Sequence, residues 1–148
     1  MAEKYRKGIF IVTYAITNGS LKYLILKRKL HWKGWEFPKG GVKRFETKKH
    51  AVKREVKEET GLKILKIKNL HESGKYKYVK ELSDRRGISG QTYKLFLVEV
   101  KRGKVKLDKL EHSSYKWATF ENAIKISTWP NQRKCLRKAN SYINSQNL

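Results

Sequence analysis

The run Ile9 to Thr17 (IFIVTYAIT) is almost continuously apolar and rich in β-branched and aromatic residues, which predicts a buried strand. Asn18-Gly19-Ser20 supplies turn chemistry and Leu21 to Arg28 reads as a second strand, so the two segments predict a hairpin. Lys29 to Lys39 is dense in Trp, Gly and Pro and reads as a loop; Pro38 biases Phe37 toward an extended backbone, and Gly40-Gly41 lets the chain approach a ligand closely. His50 to Thr60 lacks Gly and Pro, has Thr47 as a candidate N-cap and meets Gly61 as a stop signal, which predicts a helix. Leu62 to His71 alternates well enough for a strand, and the polar stretch Glu72 to Gly90 reads as an irregular rim or a long hairpin. Thr92 to Val100 is a strong strand whose register puts Tyr93, Leu95, Leu97 and Glu99 on one face. Tyr115 to Ala118 predicts a short last strand and Phe120 to Ile126 a helical turn. Asn131 to Ile143 then carries Cys135, Leu136, Ala139 and Ile143 at helical spacing, as in a closing helix packed on a sheet.

With 148 residues, no repeat and no dividing linker, the chain predicts one domain over residues 1–148, large enough for a hydrophobic core without staples. A single cysteine, Cys135, excludes an intramolecular disulfide and a cysteine-rich zinc cluster. No run of 18 apolar residues exists and Met1 to Gly8 is too polar for a signal peptide, so a cytoplasmic protein with no membrane partner is expected. Against 13 Asp and Glu stand 36 Lys and Arg, a formal charge of +23 spread over the whole length. Such a field attracts polyanions in a salt-dependent way, although solvated strand and helix faces use lysine in the same manner.

The predicted helix carries the most specific chemistry. At about 100° per residue, Glu55, Glu58 and Glu59 fall at i, i+3 and i+4 and share one face. Arg54 can reach Glu58 along the helix and hold one of these repelling carboxylates. The others are then free for a hard divalent ion, for which carboxylate oxygens are the preferred ligands. Val52 and Val56 form a second stripe that can face a sheet while the acids face a cleft. The alternative is a solvated charged helix with casual Glu to Lys pairs.

The longer context decides between them. From Gly40 the chain reads Gly, five residues, Glu46, seven residues, Arg54-Glu55, Val56, one residue, Glu58-Glu59, one residue, Gly61 and Leu62. This stretch resembles the Nudix hydrolase box with every fixed position filled. The resemblance implies an α+β fold of the α/β/α sandwich type, a mixed β-sheet between helices with a loop-helix-loop catalytic box. It also implies Mg²⁺ or Mn²⁺ as cofactor, with Glu55, Glu58, Glu59, Gly40 and Glu111 as the metal positions. Outside the box, Trp35, Phe37, Pro38, Lys39 and Gly40 form the WxFPKG run of dinucleoside tetraphosphate hydrolases and RNA 5′ pyrophosphohydrolases. Glu111, His112, Tyr115, Lys116 and Trp117, followed by Phe120 to Ala123, resemble the EHxxYRW region and downstream helix of the tetraphosphate hydrolases. Gly90-Gln91 before a strand with Lys94 and Phe96 is similar to the GQxxKWF run of the RNA enzymes, here without its tryptophan.

These pieces have physical roles to offer. Lys39 can set a point charge against a polyphosphate oxygen. Glu111 can be a metal ligand or help to activate water, with Glu99 as its rival. Tyr76, Tyr93, Tyr115, Tyr78 and Trp32 are aromatic candidates for stacking on a base, Tyr76 and Tyr93 first, while Trp35 and Trp117 brace the fold. Lys94 joins the substrate-binding set through its motif, and His112 beside Glu111 can reach a phosphate. Arg54, Glu55, Glu58, Glu59, Lys39 and Glu111 form the catalytic set. The reaction expected first is hydrolysis of diadenosine tetraphosphate to ATP and AMP by a monomer. An RNA 5′ pyrophosphohydrolase whose basic surface holds the RNA is the second reading, and a non-catalytic RNA- or nucleotide-binding protein on the same scaffold is a third.

Overall fold

In the computed structural model, which describes residues 3–80 and 82–146, the chain builds one seven-stranded mixed sheet with helices on both faces. Strand β1 (Tyr5–Thr17) turns through Asn18 and Gly19, both at positive φ (52° and 77°), into β2 (Ser20–Arg28). That pair of left-handed residues is what a two-residue hairpin turn requires, and Asn-Gly supplies it cheaply. Next come β3 (Gly34–Glu36), β4 (Lys39–Gly41) and helix α1 (Lys48–Thr60). The long strand β5 (Ile64–Lys77) pairs antiparallel with β6 (Gly90–Val100), and β6 lies parallel to β1. Strand β7 (His112–Ala118) and helices α2 (Phe120–Ile126) and α3 (Pro130–Gln146) complete the chain.

One feature of the sheet positions everything else. The first half of β1 pairs with β4, Gly8 to Phe10 against Gly41 to Lys39, whereas its last residues, Tyr14 to Thr17, pair with β2. Beyond Tyr23, β2 leaves β1 and runs between β3 and β7. The segment Phe37-Pro38 bridges the fork, where the Ile11 N–H donates to the Pro38 carbonyl (2.9 Å). The fork brings Arg28, Glu36, Lys39 and His112 to one place beside α1.

Helix α1 sets Ala51, Val52 and Val56 on Ile9, Ile11, Phe96 and Val98. Across the sheet, α2 and α3 set Ala123, Cys135, Leu136, Ala139 and Ile143 on Phe10, Val12, Tyr93, Leu95 and Leu97. The mixed sheet between helices expected from the sequence is thus observed, and so is the predicted inward register of Tyr93, Leu95 and Leu97. The departures are local. The expected loop Lys29 to Lys39 contains β3 and the first residue of β4, both strands too short to show a period. Strand β5 runs six residues past His71, because a register shift between Asn69 and Ser73, with His71 at φ 54°, breaks the alternation midway. Pro130 starts α3 one residue earlier than expected, in the first helical position that proline favours.

Both predicted ends of α1 are in place: Thr47 accepts from the His50 N–H (3.1 Å), and Gly61 (φ 68°) donates its N–H to the Lys57 carbonyl (3.0 Å). Replacing Thr47 by Ala should therefore cost about 1 kcal/mol. The check is a urea melt in which the midpoint falls while the slope holds.

Candidate active site

The guanidinium of Arg54 organises the outer half of the site. Its Nε and Nη2 donate to the two oxygens of Glu46 (2.8 and 2.9 Å), Nη2 also to the Gly41 carbonyl (2.8 Å), and Nη1 to Glu55 Oε1 (2.6 Å) and Glu58 Oε2 (3.3 Å). The expected reach to Glu58 exists but is the longest of the five. The hydrogen bonds from Arg54 hold the Glu46 carboxyl far below the usual carboxylate range. Glu46 in turn fastens the loop before the helix through the Lys43 N–H (2.9 Å) and His50 Nδ1 (2.7 Å). Arg54 thus fixes the loop against the helix and aims Glu55. Gly40 lies directly over Glu55: a Cβ on Gly40 would overlap the Glu55 carboxylate.

Deeper in, Glu36 of β3, Glu59 of α1 and His112 of β7 gather ligand-type atoms within 4.8 Å of one another, all three residues buried. Glu36 Oε2 accepts from His112 Nε2 (2.8 Å) and Arg28 Nη1 (3.2 Å), and Glu36 Oε1 lies 3.8 Å from Lys39 Nζ. His112 Nδ1 faces Glu59 Oε1 at 3.8 Å. Burial pushes Glu36 up, but Lys39, the His112 hydrogen bond and Arg28 outweigh it and hold the carboxyl below its ordinary value. Glu59 is the opposite case. Burial and then repulsion from Glu55, Glu111 and Glu36 raise it well above the carboxylate range, against a smaller pull from Lys39. Burial, with Glu58 and Glu111 adding to it, also raises Glu55 in spite of Arg54.

Both Glu59 oxygens, Glu36 Oε1 and His112 Nδ1 are buried without a hydrogen-bond partner. Polar atoms left so cost free energy unless a proton or a cation compensates them. The donor set fits a divalent cation, since Glu36 is already neutralised by Arg28 and Lys39 while Glu59 is not. Glu59, with Glu55 and Glu111 close enough to raise its proton affinity, is the group that can hold the ion.

Among the sequence candidates, Glu55, Glu59, Lys39 and Gly40 converge on this place. Glu111 joins them electrostatically, with its Oε1 3.9 Å from Arg28 Nη2. Its rival Glu99 stands on the other face of the sheet, beside Tyr14. The Glu58 side chain is half exposed and its contact is Arg54. His112, expected at a phosphate, is instead fully buried behind the acids. Tyr93, expected to stack on a base, has its ring taken by Phe10 at 4.0 Å in the core. Lys94 is exposed on β6, and Tyr115 packs with Leu24, Leu26 and Leu107. Tyr76 alone of the favoured aromatics lines a cleft, of about 620 Å³, together with Trp32, Tyr78, Arg85, Trp129 and the two cations Lys39 and Arg28. Trp32 and Trp129 meet edge to face at 5.2 Å.

Sequence reasoning missed Glu36, Arg28 and Trp129. The available signal for Glu36 was an acid between two aromatic residues, Trp35 and Phe37, with Lys39 three positions on.

A NUDIX domain family model matches residues 6–139. An RNA pyrophosphohydrolase of Nitratiruptor is 32% identical over 133 residues, covering 86% of each chain. An Ap4A hydrolase structure from Caenorhabditis elegans superposes with a TM-score of 0.77 at 27% identity, over 95% of this chain and 98% of that one. The NUDIX domain of Shewanella oneidensis NrtR, bound to ADP ribose, shares the fold with a TM-score of 0.77 at 14% identity, over 96% of this chain and 90% of that one. The family match over most of the chain, together with the buried Glu36, Glu59 and His112 cluster suited to a divalent ion, makes this a hydrolase of phosphoanhydride bonds. The chain belongs to the NUDIX domain family. No helix of the described residues is long and apolar enough to cross a membrane.

The raised Glu59 carboxyl makes a signed prediction. A folded-state pKa above the unfolded one gives stability that is full below the unfolded pKa and is lost as pH rises through the folded one. Glu59→Gln keeps the shape without the charge. In metal-free protein its Tm advantage over wild type should be small at about pH 4 and grow toward pH 8. Millimolar Mg²⁺ or Mn²⁺ should raise the wild-type Tm and move the variant much less. Calorimetry showing equal metal shifts in both would place the cation away from Glu59.

Proposed function

We propose that the protein is a Mg²⁺- or Mn²⁺-dependent hydrolase of nucleoside polyphosphates, with diadenosine tetraphosphate, split to ATP and AMP, as the first substrate. The observation that carries this reading is the cationic layer of Lys39 and Arg28, which borders both the buried acids and the aromatic cleft. A polyphosphate lying along that layer has its bases beside Tyr76, Tyr78 and Trp32 and its anhydride beside Glu55 and Glu59. The likeness to the C. elegans Ap4A hydrolase over nearly the whole chain supports the choice.

A divalent ion held by Glu59 and Glu111, with the backbone at Gly40 close by, would neutralise phosphate oxygens and acidify a bound water. The chain's own groups do the rest. Lys39, held beside Glu36 with little exposure, binds the phosphate oxygens on which charge collects as the P–O bond breaks. Glu55 has Oε1 tied to Arg54, which leaves Oε2 to take the proton of the attacking water. Burial raises its proton affinity above that of an ordinary carboxylate, the direction a general base needs. Arg54 keeps that carboxylate aimed.

RNA carrying a 5′-triphosphate is the second reading, favoured by the Nitratiruptor relative and by the charge of +23. Incubation of the dinucleotide with Mg²⁺ in ¹⁸O water should give ATP and AMP with label in one product, and no turnover above a metal-only control would sink the first reading. Lys39→Ala should lower kcat by about 10²-fold or more, the usual cost of losing a group that meets developing charge. In direct competition at physiological salt, a preference for the RNA end would install the second reading instead.

A further inference from the structure

Two side-chain amides of the aromatic cleft take no part in the chemistry above. Asn131 and Gln132 stand in the first turn of α3 and line the cleft together with Trp129 and Trp32. Gln132 is 2% exposed, and its Oε1 and the Asn131 Oδ1 are buried without a hydrogen-bond partner. An amide oxygen left dry in this way costs free energy until a donor reaches it. The backbone that carries the two amides is pinned. The Trp35 N–H donates to Thr128 Oγ1 (3.0 Å) and the Thr128 N–H to the Trp35 carbonyl (3.2 Å), so β3 holds the segment just before α3. Arg133 Nη1 closes the same turn by donating to the carbonyls of Ser127 and Thr128 (2.7 and 3.1 Å). The start of α3 is therefore a fixed part of the cleft wall.

We propose that Gln132, with Asn131 beside it, reads the 6-amino group of an adenine held in this cleft, and so makes the site prefer adenine to purines with a 6-oxo group. The role rests on the nucleoside polyphosphate reading above, which puts the bases beside the aromatic residues. Trp32, Trp129 and Tyr76 border a space of about 620 Å³, a volume that suits a small flat ligand. Stacking tolerates every base, since each has a π face, so the choice among bases falls to groups that meet their edges. The lysines and arginines of the cleft only donate, which serves phosphate. The two amide oxygens are acceptors that lack an N–H. An adenine 6-amino group carries two hydrogens, one for each oxygen, and the ring nitrogen N7 next to it accepts, so one carboxamide can bond adenine at both atoms. Guanine and hypoxanthine put an oxygen in the place of that amine, and an oxygen facing two unpartnered oxygens leaves all three unbonded.

The test titrates the protein with AMP, IMP and GMP in Mg²⁺ buffer and reads the quenching of tryptophan fluorescence, since Trp32 and Trp129 stand in the cleft. AMP should bind about tenfold or more tightly than IMP or GMP, the usual worth of a bidentate base contact. Gln132→Leu should bring AMP down to the level of IMP and leave IMP where it was. The Tm of this variant should not fall, because an apolar side chain replaces an unpartnered amide. A residue with only a structural role would lower Tm and leave the AMP to IMP ratio alone. Asn131→Ala, at a less buried position, should reduce the ratio by a smaller factor and carries the test if the first variant does not fold. Equal binding of AMP and IMP by the wild type, or a ratio that survives Gln132→Leu, would overturn the inference; with diadenosine tetraphosphate still hydrolysed, the proposed reaction would stand without it. Intact selectivity for AMP with no hydrolysis of the dinucleotide would do the reverse, removing the reaction and keeping the adenine site.

Discussion

The buried carboxylate of Glu36 is the contact on which the site depends. It accepts from His112 and Arg28 and lies against Lys39, so one anion ties together residues of β2, β3, β4 and β7. Burying such charges costs several kcal/mol per ion unless each finds its partners, and here the partners of Glu36 come from three other strands at once. The fork in the sheet, where β1 changes neighbour from β4 to β2, creates the space in which they meet. Taking away one member would leave the others charged and dry, and the two cations that border the cleft would lose their anchor.

Against this fixed background, α1 separates three kinds of chemistry by rotation alone. Ala51, Val52 and Val56 press on the sheet, Glu55 and Glu59 turn to the buried cluster, and the lysines turn outward. Arg54 stands at the border and shares its donors among Glu46, Glu55, Glu58 and the Gly41 carbonyl. The acids are thereby held in an arrangement that is costly without a cation, as the orphaned oxygens of Glu59 show.

Much of this was legible in the chain because it is local. Thr47 and Gly61 mark the helix ends, Asn18-Gly19 marks the hairpin, and the period of β6 assigns its faces. The carboxylates of α1 follow from helical spacing. Glu36 and Arg28 were not legible, since their burial follows from the pairing of Leu26 with Glu36 and of Arg28 with Gly34, contacts between strands that no local pattern encodes. The same holds for Tyr93, whose ring is claimed by Phe10 across a parallel pair, and for His112, whose strand begins earlier than its polar residues suggest. The cleft aromatic Trp129 precedes a helix that is distant in sequence from Trp32, and only the folded chain brings the two together.

Cys135 sits fully buried beneath the sheet against Tyr93, and burial pushes its thiol up to about 12. Thiolate is the reactive form, so at neutral pH this sulfur is both shielded and chemically silent. Toward alkylating reagents the folded chain therefore behaves as cysteine-free. A single cysteine introduced at an exposed position of α1 such as Lys53, or at the cleft mouth, becomes a unique attachment point for a dye or spin label, and the native residue need not first be removed from the core.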